Sequence, residues 1–393
     1  MKHRIVVLGA GYAGAFSAAY LARQLHADDF EIVVVNAEPD FVERLRNHQL
    51  AAGQDLRHLP LAEVFAGTGI RLRVARVTDV DVENRTVTVV DDETIDRLGY
   101  DTLLYALGST AADPGVVGVA EYAHHVAARP AALRLRARLD ELGEDGRVLV
   151  VGGNLTAIEA ATELAESRPG LRVTLATRGE LGGWLGPKAR AHLLRTFDRL
   201  GITVHEHTPI ERVEATSAVA IDGTVFASDA TVWAAGFAVH PIAAASGLAV
   251  EPNGQITVDN QMRSVSHPDV YVAGDSAFVI GDNGRPLPMS CATAGSTSRQ
   301  AAAAIVGDRT RRKIAMAKQS YVGNHISLGR EDALFQLVDS ESRSKPGALT
   351  GRTAVRVKSA TLWMSVWGLS HPTFGMPNHK YRLATREHDV VPA

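Results

Sequence analysis

The chain has 393 residues, 46% hydrophobic and 22% charged, with a net charge of −3. That length exceeds a single hydrophobic core and predicts two to three domains of ordinary globular composition, with no electrostatic case for nucleic acid. No apolar run approaches the roughly 20 residues of a membrane span, and the single cysteine, Cys291, excludes both an internal disulfide and a redox cysteine pair.

Met1-Lys2-His3-Arg4 leads directly into an apolar strand, leaving no room for a secretory signal and predicting a cytoplasmic protein. That strand, Ile5 to Leu8, runs into Gly9-Ala10-Gly11-Tyr12-Ala13-Gly14 and then a helix of small residues. Each glycine has its own task in holding a pyrophosphate. Gly9 makes the tight turn, Gly11 lets phosphates approach the backbone, and Gly14 lets the helix pack on the sheet. The helix N-terminus adds unpaired N–H groups and partial positive charge. A second strand, Glu31 to Val35, ends at Asn36-Ala37, where a ribose would lie. Asn36 replaces the expected acid, and its amide can still hydrogen-bond a hydroxyl.

Next, Val77 to Asp81 and Thr86 to Val90, split by Glu83-Asn84-Arg85, predict a β-hairpin inserted in the first domain. Tyr100 to Tyr105 is a strand ending in the small turn Ala106-Leu107-Gly108-Ser109. A second unit starts at Arg147-Val148-Leu149-Val150-Val151-Gly152 and runs to Gly236. His267 to Ala273 is another strand, ending in Gly274-Asp275. Strand-like and helix-like segments alternate throughout, the pattern of doubly wound α/β sheets.

Together, the opening glycines, the Ala106–Ser109 turn and the Gly274-Asp275 turn resemble the FAD signatures of the two-dinucleotide-binding-domain flavoproteins. These form the pyridine nucleotide-disulfide oxidoreductase superfamily, and the likeness is strongest to type II NADH:quinone oxidoreductases and related soluble flavoproteins. It covers roughly residues 1–310. The resemblance implies two Rossmann-like three-layer α/β domains plus a C-terminal α+β extension. The FAD-binding domain is split, with its first segment at 1–113 and its second at 237–308. An NAD(P)-binding-like domain (114–236) stands between them, and the extension (309–393) follows. FAD is the implied cofactor, with NADPH or NADH as donor. Implied FAD contacts are Gly9, Gly11, Tyr12, Ala13, Gly14, Asn36, Ala37, Arg44, His48, Val77, Ala106, Gly108, Gly274, Asp275, Pro288 and Met289. Asp275 would meet the ribityl chain.

The second glycine motif is altered. Its first glycine is Gly152, its middle position is Asn154 and its third is Ala157. Asparagine tolerates left-handed backbone, so the turn can survive, but its side chain occupies space beside a pyrophosphate. The following strand ends in Thr177-Arg178 rather than an acid. Arg178 can pair with the extra phosphate of NADPH, or it is a plain surface arginine.

The resemblance also implies a proton-transfer role for Glu159 near nicotinamide and flavin, although a carboxylate early in a helix is stabilised there in any case. In the segment expected beside the flavin ring, Arg46 and His48 are the candidate cations for reduced flavin or an acidic substrate. Ala292 and Ser296 stand where quinone reductases carry glutamines, so a quinone site is not supported. Cys291 and Thr293 fall near the ring instead. No metal site is assigned. Arg309, Arg311, Arg312, Lys313 and Lys318 read as a solvated linker. A helix around Thr353–Leu369 carries Trp363 and Trp367. Its apolar residues make no narrow stripe, which favours packing on the FAD domain or on a second subunit over a membrane surface.

The expected function is an FAD-dependent oxidoreductase passing hydride from NAD(P)H to flavin and on to a small-molecule acceptor. Two alternatives stay open: a nicotinamide-independent oxidase or tailoring enzyme reduced by its own substrate, and a non-catalytic flavin redox sensor.

Overall fold

The computed structural model describes residues 1–92, 94–112, 115–376 and 379–384, and element counts refer to these. The run Ile5 to Leu8 is wholly buried, as an apolar strand without alternation must be when both sheet faces are covered. It lies in β1 (His3–Leu8), followed by α1 (Tyr12–Gln24), β2 (Phe30–Asn36), α2 (Asn47–Ala51), α3 (Leu61–Val64) and β3 (Arg71–Val74). Then come β4 (Arg76–Asp81), β5 (Thr86–Val90), β6 (Ile95–Gly99) and β7 (Thr102–Tyr105). The expected hairpin is therefore two strands of a three-stranded antiparallel sheet, β4-β5-β6. Its third strand is exposed over Ile95–Arg97, so no apolar alternation marks it. Val77 and Val89 pair inside this sheet and are buried.

The chain continues through β8 (Ser109–Ala111), α4 (Val119–Tyr122), β9 (Ala123–His124), α5 (Arg129–Leu142), β10 (Arg147–Val151), α6 (Leu155–Ser167), β11 (Arg172–Ala176), α7 (Pro187–Arg199) and β12 (Thr203–His205). A small antiparallel sheet, β13 (Ile210–Val213), β14 (Ser217–Ala220) and β15 (Val225–Ala227), precedes β16 (Ala230–Trp233). A parallel sheet in the order β12-β11-β10-β16-β9 results, with Val150 registered against Leu175 and Val232. The chain returns through β17 (Phe237–Val239), α8 (Ile242–Ala245), β18 (Ile256–Thr257), β19 (Val270–Val272), β20 (Ala277–Phe278) and α9 (Cys291–Thr310). β19 completes the first parallel sheet in the order β19-β7-β1-β2-β3. α1 packs against α9, where Ser17 Oγ donates to Ser298 O at 3.2 Å.

The C-terminal region is an antiparallel sheet, β21 (Gly323–Ser327), β22 (Ala333–Val338) and β23 (Ser344–Thr350), followed by α10 (Gly351–Ser370). Gln336 is wholly buried; it accepts from Gly186 N–H at 2.9 Å and donates to Lys345 O at 2.8 Å, fastening this sheet to the start of α7. α10 reaches α1, and its Leu369 joins the core of the first sheet. Trp363 and Met364 remain exposed, with Trp363, Trp367 and His371 stacked in sequence. The basic segment is not wholly a solvated linker. Arg309 belongs to α9 and meets Asp269 at 3.4 Å, while Arg312 lies over the Tyr381 ring. No described helix is long and apolar enough to cross a membrane. The expected boundary at 113/114 lies outside the described residues.

Candidate flavin and nicotinamide site

The first glycine turn carries three different constraints. Gly9 has φ +89°, and a Cβ there would sit 2.4 Å from Ala106 O; one on Gly14 would sit 1.9 Å from Gly9 O. Both glycines are demanded by the protein itself. Gly11 is not: its backbone is extended, and a Cβ there meets nothing within 4 Å. It is the N-cap of α1 and has no side chain to occupy the first-turn N–H groups. Asn36 supports the turn from below, accepting from Ala10 N–H at 2.8 Å and donating to Glu38 O at 2.7 Å. Its carbonyl is therefore committed to the turn rather than left for a ribose. Ala37 beside it is exposed.

Two further turns are fastened together against this one. Ser109 Oγ donates to Asp275 Oδ2 at 2.6 Å, and Gly108 N–H donates to Ser276 Oγ at 3.0 Å. Arg44 Nη1 donates to Ser109 O at 2.8 Å and lies 3.6 Å from Asp275, with its guanidinium over the Phe237 ring. Gly274, at φ +70°, comes so near α1 that a Cβ would lie 3.0 Å from that of Ala13. Ser290 caps α9, and Thr293 Oγ1 donates to Pro288 O at 2.9 Å, which fixes the approach through Met289 to Cys291. Burial pushes the Cys291 thiol up to about 12, and Asp275 adds to the push. A thiol so shifted is protonated at neutral pH. Tyr12, edge-on to Phe41 at 5.1 Å, has a buried hydroxyl with no partner among the described residues.

In the second turn, Gly152 has φ +142° and a Cβ would lie 2.7 Å from Ala234 O. Asn154 is the N-cap of α6 at φ −91°, ψ −177°, close to Gly11 at φ −71°, ψ −168°. The turn survives without any left-handed residue at this position, because extended backbone suits any residue. The side chain folds onto its own helix, where Ala157 N–H donates to Asn154 Oδ1 at 3.2 Å. It thus competes for the donors that a phosphate would use. Trp184 Nε1 donates to Gly153 O at 3.4 Å alongside. Arg178, past the end of β11, is exposed and has no ion-pair partner among the described residues.

Glu159 is on the inward face of α6, and Lys358 of α10 forms an ion pair with its Oε1. Ser327 N–H of β21 donates to the same oxygen at 3.0 Å. Burial opposes the charge, but the Lys358 ammonium above all, with the Ser327 N–H, holds the Glu159 carboxyl below its ordinary range. His48 is buried, and burial lowers its pKa despite nearby Glu159. It is a neutral imidazole rather than the expected cation, and its Nε2 has no partner among the described residues. Arg46 keeps its charge close to protein groups, with Nε donating to Gln49 Oε1 at 2.7 Å and Nη1 3.5 Å from Glu43.

Residues 3–298 match the pyridine nucleotide-disulphide oxidoreductase family. The chain belongs to that family. An NADH dehydrogenase-like protein of Mycobacterium tuberculosis is 27% identical over 357 residues, covering 84% of this chain and 87% of that one. The type II NADH:quinone oxidoreductase of Staphylococcus haemolyticus is 26% identical, covering 73% and 78%. The structure of NDH2 from Plasmodium falciparum in complex with NADH superposes with a TM-score of 0.76 at 14% identity, covering 97% and 100%.

As a pyridine nucleotide-disulphide oxidoreductase, the protein is an FAD-dependent oxidoreductase of two Rossmann-like domains. Its first glycine turn fits that cofactor. No protein atom would meet a Cβ on Gly11, so the space above the turn is open to a pyrophosphate. Sequence reasoning missed Lys358, Ser327 and Gln255, whose Nε2 donates to Asp275 O and Ala277 O. Lys358 left one signal: with Ala354 it falls on the buried face of α10, an unusual place for a lone lysine.

Proposed function

We propose that the protein takes reducing equivalents from NADPH and passes them through FAD to a small-molecule acceptor. The observation that carries the reading is the second turn, which repeats the backbone of the first at Asn154 and is followed by Arg178, without an ion-pair partner among the described residues. Residues 114–236 then serve as the nicotinamide domain, with Arg178 on the extra phosphate. When bound, FAD supplies the hydride acceptor. Gly9, Gly11 and Gly14 with the α1 N-terminus hold its pyrophosphate, and Asp275, kept in place by Ser109, Arg44 and Gln255, meets the ribityl chain. Glu159, held ionised by Lys358, is a fixed hydrogen-bond acceptor at neutral pH rather than a proton donor. Ser296 Oγ donates to Gln319 Oε1 at 2.9 Å, and with Ala292 beside it this supports a soluble acceptor, in the cytoplasm, over a quinone.

Anaerobic titration tests the donor: the flavin should bleach at lower NADPH than NADH. Arg178→Gln should cost about 1.5–3 kcal/mol of NADPH binding, the scale of a charged hydrogen bond, and leave NADH unchanged. A native preference for NADH sinks this reading.

The bond from Ala157 N–H to Asn154 favours a second reading, in which the groove no longer takes a nicotinamide and the flavin is reduced by an organic substrate. Asn154→Gly frees that donor. On the first reading, stopped-flow reduction should saturate at lower NADPH with little change in the saturating rate, because the phosphate end contacts ground and transition states alike. Slow reduction with unchanged half-saturation in both proteins selects the second reading.

A further inference from the structure

Glu163 lies midway along α6 with none of its surface exposed. Three groups donate to its Oε1: Gln54 Nε2 at 2.7 Å, Ser167 Oγ at 3.0 Å and Arg330 Nε at 3.0 Å. Only Ser167 belongs to the same helix. Gln54 follows α2, in the stretch between β2 and β3 of the first parallel sheet. Arg330 lies in the turn between β21 and β22 of the C-terminal sheet, where its own N–H also donates to Glu166. One oxygen atom therefore joins elements from all three parts of the molecule.

The elements so joined carry the two halves of the proposed site. α6 starts at the second glycine turn, and Glu159 stands one turn before Glu163 on the same helix. α2 starts directly after Arg44 to Arg46, and Arg44 holds Ser109 and Asp275. Leu50, Ala51 and Ala52 of this stretch pack into the core of the second sheet with Ile158, Ala161 and Leu164 of α6. Apolar contact is non-directional and fixes no single register between two helices. A buried acid, in turn, is a weak source of stability, because its desolvation offsets much of what its partners return. Glu163 carries a further cost, since its Oε2 has no partner among the described residues. What the carboxylate adds is direction: three short bonds to one atom fix where α2 and the β21–β22 turn stand against α6.

We propose that Glu163 is a positioning residue for hydride transfer, setting through Gln54 and Arg330 how the nicotinamide side at α6 stands against the flavin side at α2. The inference rests on the reading in which NADPH on the second turn reduces the flavin on the first. That transfer moves a hydride with its electron pair and leaves NADP+; Glu163 exchanges no atom in it.

Stopped-flow reduction of the flavin-loaded protein by NADPH, with three variants, tests the assignment. Gln54→Leu and Arg330→Gln each remove one bond that crosses to α6. Ser167→Ala removes a donor of α6 itself and leaves both crossing bonds to Glu163 in place. The two crossing variants should lower the saturating rate by about tenfold, because small displacements of reacting groups are costly. Their half-saturating NADPH should change by less than about twofold, since the turn that takes the nucleotide is untouched. Ser167→Ala should match the native protein in both. Hydrogen exchange without nucleotide gives a second readout. Residues 47–56 and 327–334 should lose protection in Gln54→Leu and Arg330→Gln, while β1 and β10 keep theirs. A native saturating rate in Gln54→Leu overturns the proposal, and so does an equal loss in all three variants. Loss of protection that extends to β1 and β10 overturns it too, by assigning the slow rate to general loosening. Failure of NADPH to reduce the native flavin sinks the donor reading and the positioning role with it. Native reduction with unaltered variants overturns the positioning role alone.

Discussion

Gly11→Val is expected to give a folded protein without flavin. A Cβ at this position meets no protein atom within 4 Å, and the extended backbone accepts a branched residue. The fold should lose only on the order of 1 kcal/mol from a poorer N-cap. The branched carbons would project where the pyrophosphate touches the chain, so binding should fail. Gly14→Val is the contrast: its Cβ would sit 1.9 Å from Gly9 O, and the turn itself must break. The absorbance ratio of flavin to protein, read beside far-ultraviolet circular dichroism, separates the cases. Full flavin occupancy in Gly11→Val would contradict the assignment.

The largest stability loss should come from Lys358→Met. Removing one partner of a buried ion pair leaves the other charge uncompensated, at about 3–5 kcal/mol. The sign with pH follows from the direction of the Glu159 shift. In the native protein its pKa lies below the ordinary 4.5, so the stabilisation is complete above 4.5 and disappears as pH falls through the lower folded value. In the variant, burial acts without the lysine and the carboxyl should protonate more readily. The gap in urea midpoint between the two proteins should therefore be widest near pH 7 and narrow towards acid. Glu159→Gln placed in the Lys358→Met background should recover much of the loss at pH 7. A gap that stays constant with pH would assign the effect to packing alone.

The features legible in the sequence are those enforced over a few residues. Gly9 and Gly14 announce themselves because a positive φ and a collision with neighbouring backbone leave no other choice, and Ile5–Leu8 because a twice-covered strand must be apolar throughout. β3 and β6 are hard to read as sheet members because each offers the core a single partly buried leucine, Leu72 or Leu98, among polar neighbours such as Arg71, Arg73, Asp96 and Arg97. His48 misleads for a different reason. Residue type gives a titratable ring, but only packing from α6, α10 and its own helix decides that the ring is neutral. Asn154 reads as bulk in the motif, whereas its hydrogen bond to the helix follows from an extended N-cap that the motif alone does not specify. The Glu159–Lys358 pair spans 199 residues, beyond any local pattern.

That span bears on how the protein is made. A ribosome adding roughly 5–20 residues per second reaches Lys358 some tens of seconds at the slower rate, or about ten at the faster, after it has placed Glu159. Until then the nascent α6 lacks both its cation and the Ser327 N–H, since β21 and α10 are among the last regular elements of the described chain. A product truncated before α10 would carry a carboxylate that must either protonate or keep its domain ajar to water. Chains cut short there should accordingly be preferred substrates for proteases, although both parallel sheets are complete by residue 272.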